Sequence, residues 1–208
     1  MLKYVIIIKG KVINMRNPIA TIKMKSGKII KVELYPEYAP ETVNNFVYLA
    51  GKKFFDGMAF VRIVNGRLIQ AGDPNMDGPI RHDVSPGYII NGEFNKENFE
   101  NPLSFEKGVM GMAMAADVVV PYASAGSFFI MVKDEATLDA IVPAFGKIIE
   151  GMETVYEISE SETNTDYGYD APAEDELEYL ESVTVETFGV DYPEPVKVSE
   201  SVVESSGR

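Results

Sequence analysis

The chain has 208 residues, of which 46% are apolar and 25% charged, a length and composition suited to one sizeable globular core. Nineteen basic side chains against thirty-two acidic ones leave a net charge of −13, which argues against nucleic acid, because phosphate backbones are bound through Lys and Arg. There is no cysteine, hence no disulfide framework and no thiol nucleophile, and no apolar run approaches the roughly 18 residues of a membrane span.

The opening "MLKYVIIIKGK" holds only a brief apolar stretch, too short for a signal h-region and without a small-residue cleavage site after it. Residues 1–18 therefore read as an N-terminal extension forming an extra strand or hairpin. The expected location is the cytoplasm, which also fits the missing cysteines.

"IATIKMKSGKIIKVELY" (19–35) alternates apolar and polar residues on both sides of Ser26-Gly27, the pattern of a β-hairpin. In "PEYAPETVNNFVYLAGKKFF", Pro40 suits the first turn of a helix and Glu41 its positive end. Val43, Phe46, Val47 and Ala50 share one face, and the helix stops near Gly51.

Short strands follow in "MAFVRIV" and "RLIQAGD". A polar, Gly-rich loop then covers 72–93, and further strands lie in "GVMGMAMA", "SFFIMV" and "PAFGKII". "TLDAI" suits one helical turn and "GMETVYEISE" a second helix. Between Glu157 and Glu181 ten acidic residues occur with no basic one, which reads as a solvated connection held extended by self-repulsion. "ESVTVETFG" alternates as a closing strand, and residues 191–208 read as a polar tail, frayed at its end. Many short strands with only two helices predict a mainly β fold, an antiparallel barrel closed so that few edges remain.

His82 is the only histidine, which excludes a histidine metal cluster; in "IRHDVSPG" it reads as a solvated loop side chain. The GxGxxG and P-loop patterns are absent, and a two-carboxylate glycosidase would rest on composition alone. "VMGMAMAA" reads as core packing rather than as an adhesive surface.

One stretch resists this bland account. "AFVRIVNGRLIQAGDP" (59–74) sets Arg62, Arg67 and Gln70 among apolar residues of a hairpin. A charge taken out of water costs several kcal/mol unless it is paired, so these side chains either form a satisfied network or line a site. In a regular strand Phe60 and Arg62 share one face. A polar pair beside aromatic residues is what a small peptide groove requires.

Over residues 19–189 the sequence resembles the cyclophilins, peptidyl-prolyl cis-trans isomerases built on an eight-stranded barrel capped by two helices. "YAPETVNNFVYLA" resembles the family's first helix and "FFDGMAFVRIVNGRLIQAGDP" its signature around the catalytic arginine. "GEFNKENF", "KGVMGMAMA", "SAGSFFI" and "LDAIVPAFGKIIEGMETV" are similar to later motifs in the same order. The resemblance implies one cyclophilin-like domain at 19–190, with an acidic loop at 157–181.

It makes Arg62 the catalytic residue. The implied substrate-binding residues are Phe60, Leu68, Gln70, Ala113, Met114, Ser127, Phe129, Leu138 and Val142. No cofactor or metal is implied. The implied partners are proline-containing peptides and unfolded or folding proteins, met by a monomer without nucleic acid or membrane.

The pocket departs from the family pattern at several positions. Arg67 stands for a phenylalanine, Met114 for an asparagine, Ser127 for a glutamine, Thr137 for a tryptophan and Val142 for a histidine; "DVVVPYA" (117–123) lengthens a loop. Two readings follow. One is an isomerase with a remodelled pocket, in which Arg62 stabilises the twisted prolyl amide. The other is a weak or inactive cyclophilin-like module that binds proline segments.

Overall fold

The computed structural model describes residues 4–8, 11–75, 81–82, 84–94, 99–114, 122–166 and 168–199. β1 (Tyr4–Ile8) and β2 (Lys11–Met15) pair antiparallel in a small sheet of their own. β3 (Ile19–Met24) and β4 (Ile29–Leu34) form the expected hairpin. Ala20, Ile22, Met24, Ile30, Val32 and Leu34 are all 0% exposed, so the period-two pattern correctly named the inward face.

α1 (Pro40–Gly51) follows, with Thr42, Val43, Asn45, Phe46, Leu49 and Ala50 buried. Its N-cap, Ala39, offers no side-chain oxygen. The cap comes instead from a carboxylate far along the chain. Glu93 Oε1 accepts from Glu41 N at 2.9 Å, and its Oε2 accepts from Thr42 N at 2.7 Å and from Thr42 Oγ1 at 2.8 Å. Two orphan N–H groups at the positive helix end, and the Thr42 hydroxyl, are thereby met.

β5 (Ala59–Val64), β6 (Leu68–Gly72), β7 (Ile89–Asn91), β8 (Val109–Met114), β9 (Tyr122–Met131) and β10 (Ala144–Glu150) come next. α2 (Met152–Ser159), β11 (Thr163–Asn164), β12 (Ala171–Pro172) and β13 (Leu180–Glu186) complete the elements. The main sheet runs β13-β3-β4-β10-β8-β9-β6-β5, all antiparallel, with β7 on β9. β7 falls inside the stretch expected to be loop; three residues are too few to show a period.

The eight-strand path curls into a barrel, but its two end strands share no full ladder. A single bridge joins Ala59 to Tyr179, with Leu180 N donating to Met58 O at 2.7 Å. The barrel is therefore less closed than the strand count suggested. Inside it, Phe46 stacks on Phe55 at 4.9 Å, and Phe60 and Phe145 join the same cluster.

Two expectations change. The acidic stretch is not merely a solvated connection: Ile63 N donates to Asp170 O at 2.9 Å and Phe60 N to Glu178 O at 3.2 Å, so it lies along the outer edge of β5. It supplies there the backbone partners that an edge strand lacks. The tail through residue 199 is docked rather than frayed. Val198 and Ile89 exchange backbone hydrogen bonds of 2.9 and 3.0 Å, and the Lys197 ammonium lies 5.0 Å from the Tyr48 ring and 5.2 Å from the Tyr88 ring. The tail's last residues, 200–208, and most of the lengthened loop at 117–123 lie outside the described residues.

Candidate active site

The outer face of β6, β8 and β9 carries a second apolar cluster, distinct from the barrel interior. Leu68, Phe105, Val109, Ala113, Phe129, Met131, Val142 and Ala144 form it, with Leu138 packed against it. Alternation along each strand produces this division. Phe128 and Ile130 point inward while Phe129 and Met131 point outward.

Gly111 lies opposite Phe129 in the ladder, and a Cβ there would stand 2.5 Å from Phe129 Cζ and 2.6 Å from Phe105 Cε1. The missing side chain makes room for the Phe105–Phe129 stack, whose centroids are 5.4 Å apart. Gly111→Ala is therefore expected to cost about 1–3 kcal/mol in urea unfolding, as overpacking does. It should also tilt Phe129 and raise KM for a proline peptide several-fold. An unchanged KM would show that Phe129 does not shape the slot.

Beside this slot runs a chain of hydrogen bonds. Arg62 Nη1 donates to Gln70 Oε1 at 2.9 Å, Gln70 Nε2 donates to Ser127 Oγ at 3.0 Å, and Ser127 Oγ donates to Ala71 O at 2.9 Å. Its polarity is forced from one end. The carbonyl of Ala71 can only accept, so the Ser127 hydroxyl gives its proton there and must accept from the carboxamide N–H; Gln70 Oε1 is then left to face the guanidinium. Gln70 is 4% exposed and Ser127 0%. The register Arg62↔Gln70↔Phe129 holds all three in one row across β5, β6 and β9.

Arg62 itself is half-buried. Burial pulls its pKa below the ordinary value, the Asp170 carboxylate opposes that pull, and the nearby Arg67 guanidinium adds to it. The residue remains charged throughout the working range.

Arg62, Gln70, Leu68, Ala113, Phe129, Leu138 and Val142 thus lie on one outer face, but three other candidate positions behave differently. Phe60 does not reach the groove. It is 0% exposed inside the barrel, edge-on to Phe128 at 6.4 Å. The cause is a β-bulge: Phe60 pairs with Ala71 and Arg62 with Gln70, so one extra residue intervenes and the two side chains leave on opposite faces. Ser127 is enclosed and acts on Gln70 rather than on a ligand. Met114, at the end of β8, is 47% exposed and stands outside the apolar cluster.

At the rim, Arg67 Nε lies 3.3 Å from Glu135 Oε2, and Thr137 Oγ1 donates to Glu135 Oε1 at 2.6 Å. An ion pair therefore occupies the edge where the family pattern has aromatic residues.

Sequence reasoning missed three neighbours of the arginine. Tyr169 and Asp170, from the acidic stretch, and His82 all act electrostatically on or with Arg62. Only the path of two loops brings them there. Among the described residues no group of three or more His, Asp or Glu is placed to hold a metal, and no helix is long and apolar enough to cross a membrane.

The family model for the cyclophilin-type peptidyl-prolyl cis-trans isomerases, "Cyclophilin type peptidyl-prolyl cis-trans isomerase/CLD", matches residues 19–185. The chain belongs to this family.

Among curated cyclophilin relatives, "Peptidyl-prolyl cis-trans isomerase B" of Bacillus subtilis (strain 168) is 35% identical over 130 residues, covering 62% of this chain and 82% of the relative. The protein of the same name from Streptomyces anulatus is 34% identical over 186 residues, covering 81% of this chain and 96% of the relative. A crystal structure of a Cryptosporidium parvum cyclophilin-type isomerase, in the presence of the dipeptide Ala-Pro, superimposes with a TM-score of 0.65 at 22% identity. That match covers 81% of this chain and 98% of the other and shows the shared fold.

As a cyclophilin, the chain keeps the arginine and glutamine while its single histidine stands apart from the family's positions. That histidine gives the fold a pH dependence. Burial, and then the charge of Arg62, depress the His82 pKa from its ordinary 6.5 to about 4. The unfolded chain therefore binds a proton at His82 that the folded one refuses. Stability contributed by the neutral imidazole is complete above pH 6.5 and is lost as pH falls towards 4. Allowing for solvent screening of a half-buried ring, the loss is about 1–2 kcal/mol. Urea unfolding at pH 7 and pH 4.5 should show a difference that shrinks by that amount in His82→Asn. An identical pH dependence in the two proteins would mean that the histidine is solvated.

Proposed function

We propose that this cyclophilin catalyses cis-trans rotation about X-Pro bonds with Arg62 as its catalytic residue. The reading rests on one observation, the guanidinium held by Gln70 and Ser127 on the same outer face as the slot built from Leu68, Ala113, Phe129, Leu138 and Val142.

The proline ring enters the apolar slot. Rotation must break amide resonance, a barrier of about 18–20 kcal/mol. At the twisted geometry the prolyl nitrogen regains a lone pair. A guanidinium N–H left over from the bond to Gln70 donates to that nitrogen, an interaction absent in either planar ground state. No bond to carbon is made or broken, and no proton is transferred. The dry floor around Phe129 strengthens the hydrogen bond, and the Gln70–Ser127 chain spares Arg62 from reorganising.

The proposed substrates are proline-containing peptides and unfolded or folding proteins, bound by a monomer acting in the cytoplasm. Exchange NMR on an Ala-Ala-Pro-Phe peptide tests the activity directly. Cis and trans resonances that exchange slowly alone should show exchange cross-peaks within a second when catalytic amounts of the protein are added. Unchanged exchange with clear line broadening would instead favour a module that binds without turnover, a reading for which the geometry gives no separate support.

A further inference from the structure

Two loops that lie outside the active-site motifs meet beside the arginine. The first crosses β6 so closely that a Cβ on Gly72 would stand 2.5 Å from both Arg81 O and His82 Cα. Gly72 is thus what lets this loop lie against the strand, and the loop delivers His82. The second is the acidic stretch, fixed along β5 by the bond from Ile63 N to Asp170 O. It delivers Tyr169. The His82 and Tyr169 rings meet edge to face, with centroids 4.6 Å apart at 80°. Tyr169 acts on Arg62, Arg62 in turn acts on His82, and the histidine is neutral at working pH. Arg62 therefore has the apolar slot on one side and, towards β5, two uncharged rings beside the Asp170 carboxylate.

A substrate whose proline fills the slot and whose prolyl nitrogen faces Arg62 must continue past the arginine. The next Cα lies only about 3.8 Å further on. Towards Phe129, Leu138 and Val142 the way is filled by the slot itself. Towards β5 the chain meets the rings.

We propose that His82 and Tyr169 form a specificity-determining subsite that receives the side chain adjacent to proline and favours apolar and aromatic ones. Ring faces gain from burying such side chains and from edge-to-face contact. A charged side chain would lose hydration against the rings, and the two nearest opposite charges, Arg62 and Asp170, already offset each other. The inference deepens the isomerase reading and rests on it for the position of the proline.

The test uses the full chain and two peptide series, Ala-Xaa-Pro-Ala and Ala-Ala-Pro-Xaa, with Xaa as Gly, Leu, Phe, Glu or Lys. Exchange NMR gives kcat/KM for each, and titration gives Kd for the same peptides. In one series, wild type should prefer Phe and Leu over Gly by about five- to twentyfold. Tyr169→Ala and His82→Ala should bring that ratio close to one, while Tyr169→Phe keeps most of it.

If Tyr169→Ala fails to fold, His82→Ala decides. The same Phe-to-Gly ratio in wild type and the folded alanine variants would overturn the subsite, as would a wild type with no preference in either series. If no peptide is isomerised, the catalytic reading falls, and the Kd ratios test the subsite on their own.

Discussion

Arg62→Ala is expected to lower kcat/KM for an Ala-Pro peptide about ten- to hundredfold while changing peptide affinity little. In the proposed mechanism the arginine donates to the prolyl nitrogen only in the twisted state, so its loss should fall on the chemical step. A charge-assisted hydrogen bond contributes about 1.5–3 kcal/mol, which sets the size of the effect. Arg62→Lys should recover part of the rate. An ammonium keeps the charge, but it cannot hold Gln70 Oε1 and the prolyl nitrogen with one rigid fork. Thermal unfolding should move little, because the side chain is only half-buried and its partner Gln70 stays anchored to Ser127. Equal rates in wild type and Arg62→Ala, with a lower melting point in the variant, would make the residue a structural cation.

Glu93→Ala should be the most destabilising of the substitutions considered. The carboxylate is 6% exposed and meets three donors at the start of α1, and no side chain at the N-cap could replace it. Burial pushes its pKa up while those hydrogen bonds pull it back. Removing it leaves two backbone N–H groups and a hydroxyl without an acceptor, for a cost of about 2–4 kcal/mol in urea unfolding. Glu93→Gln should lie between the two, since one of its two terminal atoms would present N–H groups to donors. The effect should also reach the groove. Asn101 Nδ2 donates to Glu93 O at 3.0 Å and to Ala144 O at 2.8 Å, and Ala144 belongs to the outer apolar cluster. A loss below about 0.5 kcal/mol would mean that water caps the helix equally well.

Much of the architecture could be read from local pattern. The hairpin at 19–34, the helix starting at Pro40 and ending at Gly51, the single turn near Leu138 and the closing strand all lie where alternation and end signals put them. Arg62 and Gln70 were conspicuous because a guanidinium among strand residues needs a reason. Phe60 misled because strand alternation assumes a regular ladder. A bulge is a property of the pairing with β6, and nothing in "AFVRIV" alone announces the extra residue.

The acidic stretch misled for a related reason. Its charge describes the face turned to water and is silent about the carbonyls of Asp170 and Glu178, which complete the edge of β5. Composition speaks of side chains, whereas an edge strand is satisfied by main chain.

The sequence by itself determined the inside and outside of the barrel and the two helices, and marked Arg62 and Gln70 as residues in need of a reason, because each follows from periodicity or from the cost of burying a lone polar group. Tertiary structure alone decided which face Phe60 took, that Glu93 caps a helix some fifty residues earlier, and that His82 and Tyr169 meet beside Arg62. These depend on contacts between segments distant in sequence. The geometry that joins them is fixed by strand register and close backbone approach, such as that at Gly72, and by no residue's local preference.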